Sequence, residues 1–163
     1  MADSARFSQS HGIAPLANKG DYNAGFTADS VRLDKYNHCT LVITGDAAVA
    51  GTGLLTIYGG ATEAATTAAI TFTYRYVSTD VAAALGDVLS TPATSAALTF
   101  TEAPLLSGMY VIEFDAEDLN VGGVQYNWAT AVVDAAGTAG YCNILAILSE
   151  PRYAQAVMPT AIK

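Results

Sequence analysis

The segment Ile70-Thr71-Phe72-Thr73-Tyr74-Arg75-Tyr76-Val77 decides how the rest of the chain is read. Ile70, Phe72, Tyr74 and Tyr76 share one side of a period-two repeat, and Thr71, Thr73 and Arg75 share the other. Successive side chains of an extended strand point to opposite faces, so this is a strand with one face on a core and one towards water. Its β-branched and aromatic residues suit such a pleated, half-buried surface.

The same period continues on both sides. Val31 and Leu33 alternate with polar neighbours, and in Cys39-Thr40-Leu41-Val42-Ile43-Thr44 one face carries Cys39, Leu41 and Ile43 before Gly45-Asp46 stops the run. Leu54 to Tyr58 is closed by Gly59-Gly60. Further strands are predicted at Ala97 to Thr101, ended by Pro104, and at Met109 to Phe114, Tyr126 to Val133 and Tyr141 to Leu148. The last two are separated by the turn-rich link Asp134 to Gly140, and one helical turn is predicted within Val81 to Leu89. Short strands divided by Gly, Asp and Pro, with no strand–helix alternation, predict an all-β fold. Its expected form is an antiparallel β-sandwich or a jelly-roll-like barrel with extended N- and C-terminal arms.

Three segments are expected: an N-terminal arm over 1–28, a β-sandwich body over 29–149 and a C-terminal arm over 150–163. The first is rich in Ser, Ala, Asn and Gly, contains Pro15 and shows no sustained period, so removing residues before Phe26 is expected to leave the body folded. The last contains Pro151 and Pro159, neither of which suits a central strand.

Hydrophobic residues make up 52% of the 163 and charged residues only 13%, about half the roughly 25% usual for a soluble domain. So few charges cover a lone monomer poorly, which favours a homo-oligomer, a dimer or trimer. The net charge is −8, and between Tyr36 and Glu150 the only basic residue is Arg75. An acidic body disfavours nucleic acid, which is held by neutralising phosphates. The apolar runs are broken before they reach the roughly 18 residues of a spanning helix, so no membrane partner is expected. Met1-Ala2-Asp3-Ser4-Ala5-Arg6-Phe7 lacks the apolar region of a secretory signal. Cys39 and Cys142 are therefore expected as two buried thiols.

No catalytic, cofactor or metal site is expected. His11 and His38 are the only histidines, and there is no Gly-x-Ser-x-Gly turn and no His-Glu-x-x-His helix. The cysteines lack zinc-finger spacing, and His38 and Cys39 point to opposite faces of a strand. Gly51-Thr52-Gly53 lacks the next glycine of a dinucleotide loop and reads as a hairpin link. In Asp115-Ala116-Glu117-Asp118-Leu119-Asn120 the grouped carboxylates match a helix cap better than a calcium loop, because the EF-hand spacing is missing.

Four stretches together carry a likeness. They are Val31-Arg32-Leu33-Asp34-Lys35-Tyr36-Asn37-His38-Cys39, Ile70 to Arg75, Tyr110 to Asp115 with Leu119, and Pro151-Arg152-Tyr153-Ala154 with Pro159-Thr160-Ala161-Ile162. In this order, behind a polar start, the chain resembles small virion proteins of tailed bacteriophages, of the capsid decoration or cement type. The resemblance covers most of the chain and lies in layout, not in a catalytic motif. It implies a β-rich body on the outside of the capsid, made in the host cytoplasm, with the major capsid protein as partner. The bases Arg6, Lys19, Arg32 and Arg152, with Tyr153, sit outside the acidic body and are the candidate contacts. The alternatives are another virion component, such as a head fibre base or tail protein, and a carbohydrate-binding module using some of the nine tyrosines or Trp128. In alternating strands such aromatics more often pack than bind.

Overall fold

The computed structural model describes residues 7–21, 23–47, 53–77, 88–100, 108–135 and 140–152. A helical turn, α1 (Phe7–Ser10), leads into β1 (Gly12–Asp21), β2 (Phe26–Thr27), β3 (Val31–Arg32), β4 (Tyr36–Ala47), β5 (Leu54–Gly60), β6 (Ala68–Ala69) and β7 (Phe72–Val77). Then come β8 (Ala93–Ser95), β9 (Leu98–Thr99), β10 (Met109–Asp115), a 3₁₀ turn (Ala116–Leu119), β11 (Asn120–Val121), β12 (Val124–Gln125), β13 (Trp128–Val133) and β14 (Gly140–Pro151). No described helix is long and apolar enough to cross a membrane. The predicted turn within Val81 to Leu89 and Gly51-Thr52 lie largely or wholly outside the described residues.

The strands form an antiparallel sandwich. One sheet runs β1-β14-β4-β10-β7-β8, and the other runs β2-β13-β5-β6, with β3 also on β13 and β9 also on β5. The alternation read in the sequence becomes the burial pattern: Cys39, Leu41 and Ile43 of β4 and Tyr110, Ile112 and Phe114 of β10 all face inward. They meet Leu55, Ile57, Ala129, Ala131 and Val133 of the second sheet in one continuous core. Each large apolar side chain buried there contributes on the order of 1.5–3 kcal/mol relative to exposure. Among the few polar side chains inside, Ser30 and Thr130 are satisfied by each other at 2.7 Å, and the Ala64 N–H donates to Ser30 Oγ at 2.9 Å. This is the pairing that burial of hydroxyls demands.

Residues 12–21 differ from the expected arm. They form β1, which pairs with β14 from Gly12↔Leu148 to Asp21↔Tyr141 and places Ala14 and Leu16 in the core. Register shifts between Pro15 and Ala17 and between Ala17 and Gly20 interrupt the alternation twice, which hides the period. Pro15 is accommodated because β1 is an edge strand, where a missing N–H costs no ladder bond. Gly20 lets the Phe26 ring lie against β1, because a Cβ there would stand within 2.3–2.6 Å of the ring and push it aside. At the other end Glu150 and Pro151 belong to β14, so the body runs past residue 149, and residues 153–163 lie outside the described residues.

Cys39 and Cys142 are free and buried. In the β14–β4 ladder Cys39 is opposite Leu148 and Cys142 is opposite Gly45, six residues apart. At about 3.3 Å per residue that is roughly 20 Å, far beyond the ~7 Å a disulfide spans. Burial pushes both thiols up, Cys142 to about 12, so neither is a thiolate at neutral pH.

Candidate functional site

Three surface features have the chemistry to meet a partner. The first is a polar cleft where β4 begins and β10 and β14 end. Register sets His38 between Asp115 of β10 and Ser149 of β14. Because Cys39 points inward, His38 points outward, as strand alternation requires. Its Nδ1 lies 2.6 Å from Asp115 Oδ1, and its Nε2 lies 3.3 Å from Thr40 Oγ1 and 3.7 Å from Glu113 Oε1. The cleft, about 490 Å³, is lined by these acids' neighbours Glu117 and Glu150 together with Asn37 and Arg152.

Carboxylate, imidazole and hydroxyl in series have the order of a hydrolytic relay. The surroundings do not suit acyl transfer. Thr40 lies within a strand laddered to Glu113 on one side and Ile147 on the other, so local backbone amides are engaged in the sheet and do not converge on an oxyanion. The Glu113 carboxylate beside Nε2 adds negative charge where a developing oxyanion would need the opposite. The geometry instead makes a surface hydrogen-bond network.

The acidic run beside it is a cap. Asp118 Oδ2 accepts the Asp115 N–H at 2.7 Å across the 3₁₀ turn, with Glu117 and Asp118 in its first turn. Among the described residues no group of three or more His, Cys, Asp or Glu is placed to hold a metal ion.

The second feature is the set of bases expected to make contact. Arg152 sits in the cleft, its Nε donating to Asn37 Oδ1 at 2.9 Å and its N–H to the Lys35 carbonyl at 2.9 Å. Arg32, a few residues earlier on β3, pairs with Asp34 at 2.7 Å and lies 5.9 Å over the Trp128 ring. Lys19 is at the far end of β1, with its N–H bonded to Asn143 Oδ1 at 3.0 Å. Asn143 and Arg152 are nine residues apart, so about 30 Å of strand separates Lys19 from Arg152. The five residues therefore do not form one patch: Arg32 and Arg152 share an end, Lys19 lies at the other, and Arg6 and Tyr153 are outside the described residues.

The third feature is one the sequence reading missed. The outward face of β1, β14 and β4 carries an apolar strip among polar residues: Ile13 is 50% exposed and Leu145 36%, with Ile147 and Val42 half-buried beside them, and Tyr141, 43% exposed, lies beyond Asn143. A shallow depression of about 350 Å³ opens there between Pro15, Val42 and Leu145, with Asn18, Thr44 and Asn143 along its polar side. The signal lay in Ile144-Leu145-Ala146-Ile147-Leu148, apolar on both faces, as in strands covered on both sides.

By fold the described chain is an antiparallel β-sandwich in which β1 and β14, its first and last described strands, pair within one sheet. In shape it is similar to the crystal structure of the SPBc2 prophage-derived protein YomS, with a TM-score of 0.50 and 10% identity over 85% of this chain and 91% of that one. No protein-family model matches the chain, and no curated protein matches it in sequence.

Proposed function

We propose that this chain is a non-enzymatic structural virion protein of a tailed phage, which binds the outside of the assembled capsid and stabilises contacts between major capsid subunits. The observation that carries this reading is the likeness in fold, along most of both chains, to a prophage-derived protein. It agrees with the layout that resembles capsid decoration proteins. The surface chemistry supports the same reading: the polar cleft and the Arg32–Arg152 end offer both signs of charge to a protein partner. A sugar-binding role is less well supported, because Trp128 has the Arg32 guanidinium over its ring.

A protein that binds the assembled shell and not the free subunit stabilises the shell by RT ln(1 + [L]/Kd), on the order of 3 kcal/mol per site at a hundredfold excess over Kd. Repeated over many sites, this resists the outward pressure of packaged DNA without chemistry. The test is thermal release of DNA from heads lacking this protein. Such heads should release DNA at lower temperature, and purified protein should restore them. Protein that ignores mature heads but binds tails, or a defined glycan, would overturn the capsid reading in favour of the corresponding alternative.

A further inference from the structure

We propose that the outward face of β1, β14, β4 and β10 is the interface of a two-fold dimer, packed sheet face to sheet face against a second copy of this chain. The proposal rests on the expectation that copies associate, and does not depend on the capsid. Two rows cross this face in register. One is Pro15, Leu145, Val42 and Val111, and the other begins with Ile13 and Ile147. These six side chains form a continuous apolar strip, within which Ile13 and Leu145 are 50% and 36% exposed. Contiguous apolar surface on a sheet face is the mark of an interaction surface, whereas scattered single residues are ordinary.

Charge selects a second copy as the occupant. The second row ends in Thr40 and Glu113, and the next level carries His38 and Asp115, so the acids stand at the β10 corner. Lys19 stands exposed at the opposite corner, beside Asn143 and the outer end of β1. Asp21, an acid near it, is turned to the Asn23 N–H at 2.9 Å. A two-fold axis lying in the interface, passing between Val42 and Leu145 and perpendicular to the Lys19–Glu113 diagonal, sets Lys19 of each copy against Glu113 of the other. The same operation crosses the row Pro15, Leu145, Val42 and Val111 over its copy, with Leu145 and Val42 at the crossing, and repeats every contact twice, as an isologous interface requires.

The dimensions fit. Four strands about 4.8 Å apart and about ten residues long present on the order of 600 Å² of flat face, near the ~800 Å² per partner of a standard stable interface. Growth of the sheet through its edges is blocked by contrast: β1 carries Pro15, Lys19 and two register shifts, and β8 is only three residues long. Copies that associate therefore meet face to face.

Sedimentation across micromolar concentrations tests this. The expected particle is twice 16.8 kDa. Leu145→Lys should raise the dimer Kd by at least about 30-fold, the size of an interface hot spot. Lys19→Glu and Glu113→Lys should each weaken the dimer, and the two combined should restore it. If Leu145→Lys fails to fold, Val42→Thr, nearly the same shape on the same row, should weaken association in the same direction. A monomer at every concentration, a dimer unchanged by either apolar substitution, or a combined charge swap no better than the singles would each overturn the proposal. So would a Leu145→Lys protein that still dimerises but no longer binds heads, since the face would then belong to the shell.

Discussion

β7 and β14 belong to the same sheet and bury the same kind of inward face, yet their outward faces differ. Phe72 of β7 packs inward while Thr73 and Arg75 face out, and the Arg75 guanidinium is tied to the Ser90 carbonyl at 2.8 Å. On β14, Cys142, Ile144, Ala146 and Leu148 pack inward while Tyr141, Leu145 and Ile147 face out, with Asn143 between them and Ser149 after them. One strand is finished for water and the other is not. The sheet is thus a half, β10-β7-β8, whose outward face carries Glu113, Thr73 and Arg75 and joins the apolar strip only through Val111, beside a half, β1-β14-β4, whose second face is suited to being covered. Inward burial makes the fold, and the outward face decides what the fold meets.

The harshest way to break this comparison is to remove residues 1–21. That deletes β1, empties the core sites of Ala14 and Leu16, and strips the partner from β14. Loss of a buried leucine alone costs at least about 3 kcal/mol, so chemical denaturation should show a far weaker or absent cooperative transition. A truncated chain as stable as the full one would return β1 to the status of an arm. Next in size, Ile144→Ala and Ile112→Ala test whether the two halves are alike beneath the surface. Both side chains are essentially inaccessible, and each substitution should cost about 3 kcal/mol; a large difference would mean that the core is not shared evenly.

The thiols under the apolar half sharpen the picture through pH. Their pKa is raised by burial, so above about 8.5 the unfolded chain loses thiol protons that the folded chain keeps. The stability these thiols confer is complete below that pH and is lost as pH rises towards about 12 for Cys142, at up to ~1.4 kcal/mol per pH unit for each thiol. Cys142→Ala should flatten the alkaline fall in stability by that share, and an unchanged slope would show that Cys142 ionises freely in the native state. The smallest effects belong to the outward faces. In dilute protein, Leu145→Thr and Thr73→Val should each shift stability by less than about 0.5 kcal/mol. At high concentration only the Leu145 variant should fall behind the wild type, because only it loses stabilisation by association. Equal behaviour at both concentrations would erase the distinction between the halves.

Legibility followed locality. The strands of the body could be read because each carries its own alternation: β4, β5, β7, β10, β13 and β14 overlap the stretches read as Cys39 to Thr44, Leu54 to Tyr58, Ile70 to Val77, Met109 to Phe114, Tyr126 to Val133 and Tyr141 to Leu148, with β7 and β13 each starting two residues later than read and β4 starting three earlier. β1 could not, since two register shifts move its side chains from face to face. The β11–β12 hairpin escaped notice although Gly122 and Gly123, with φ of 62° and 81°, supply the two-residue turn that such a hairpin needs. The cap at Asp115 was legible because its partner Asp118 is three residues away. The contact between His38 and Asp115 was not, because 77 residues separate them and only the β4–β10 register brings them to 2.6 Å.

The sequence by itself determined the all-β class, the antiparallel character and most inward-facing residues, because side-chain alternation is a property of neighbouring residues in one strand. Only the tertiary structure decided that the two ends of the described chain lie side by side, with β14 between β1 and β4. It also decided that Lys19 and Arg152 stand at opposite ends of that strand, and that the outward residues of separate strands join into one apolar strip. Those facts depend on strand order and register, which are set by the fit of distant faces around a common core and leave no mark in any single segment.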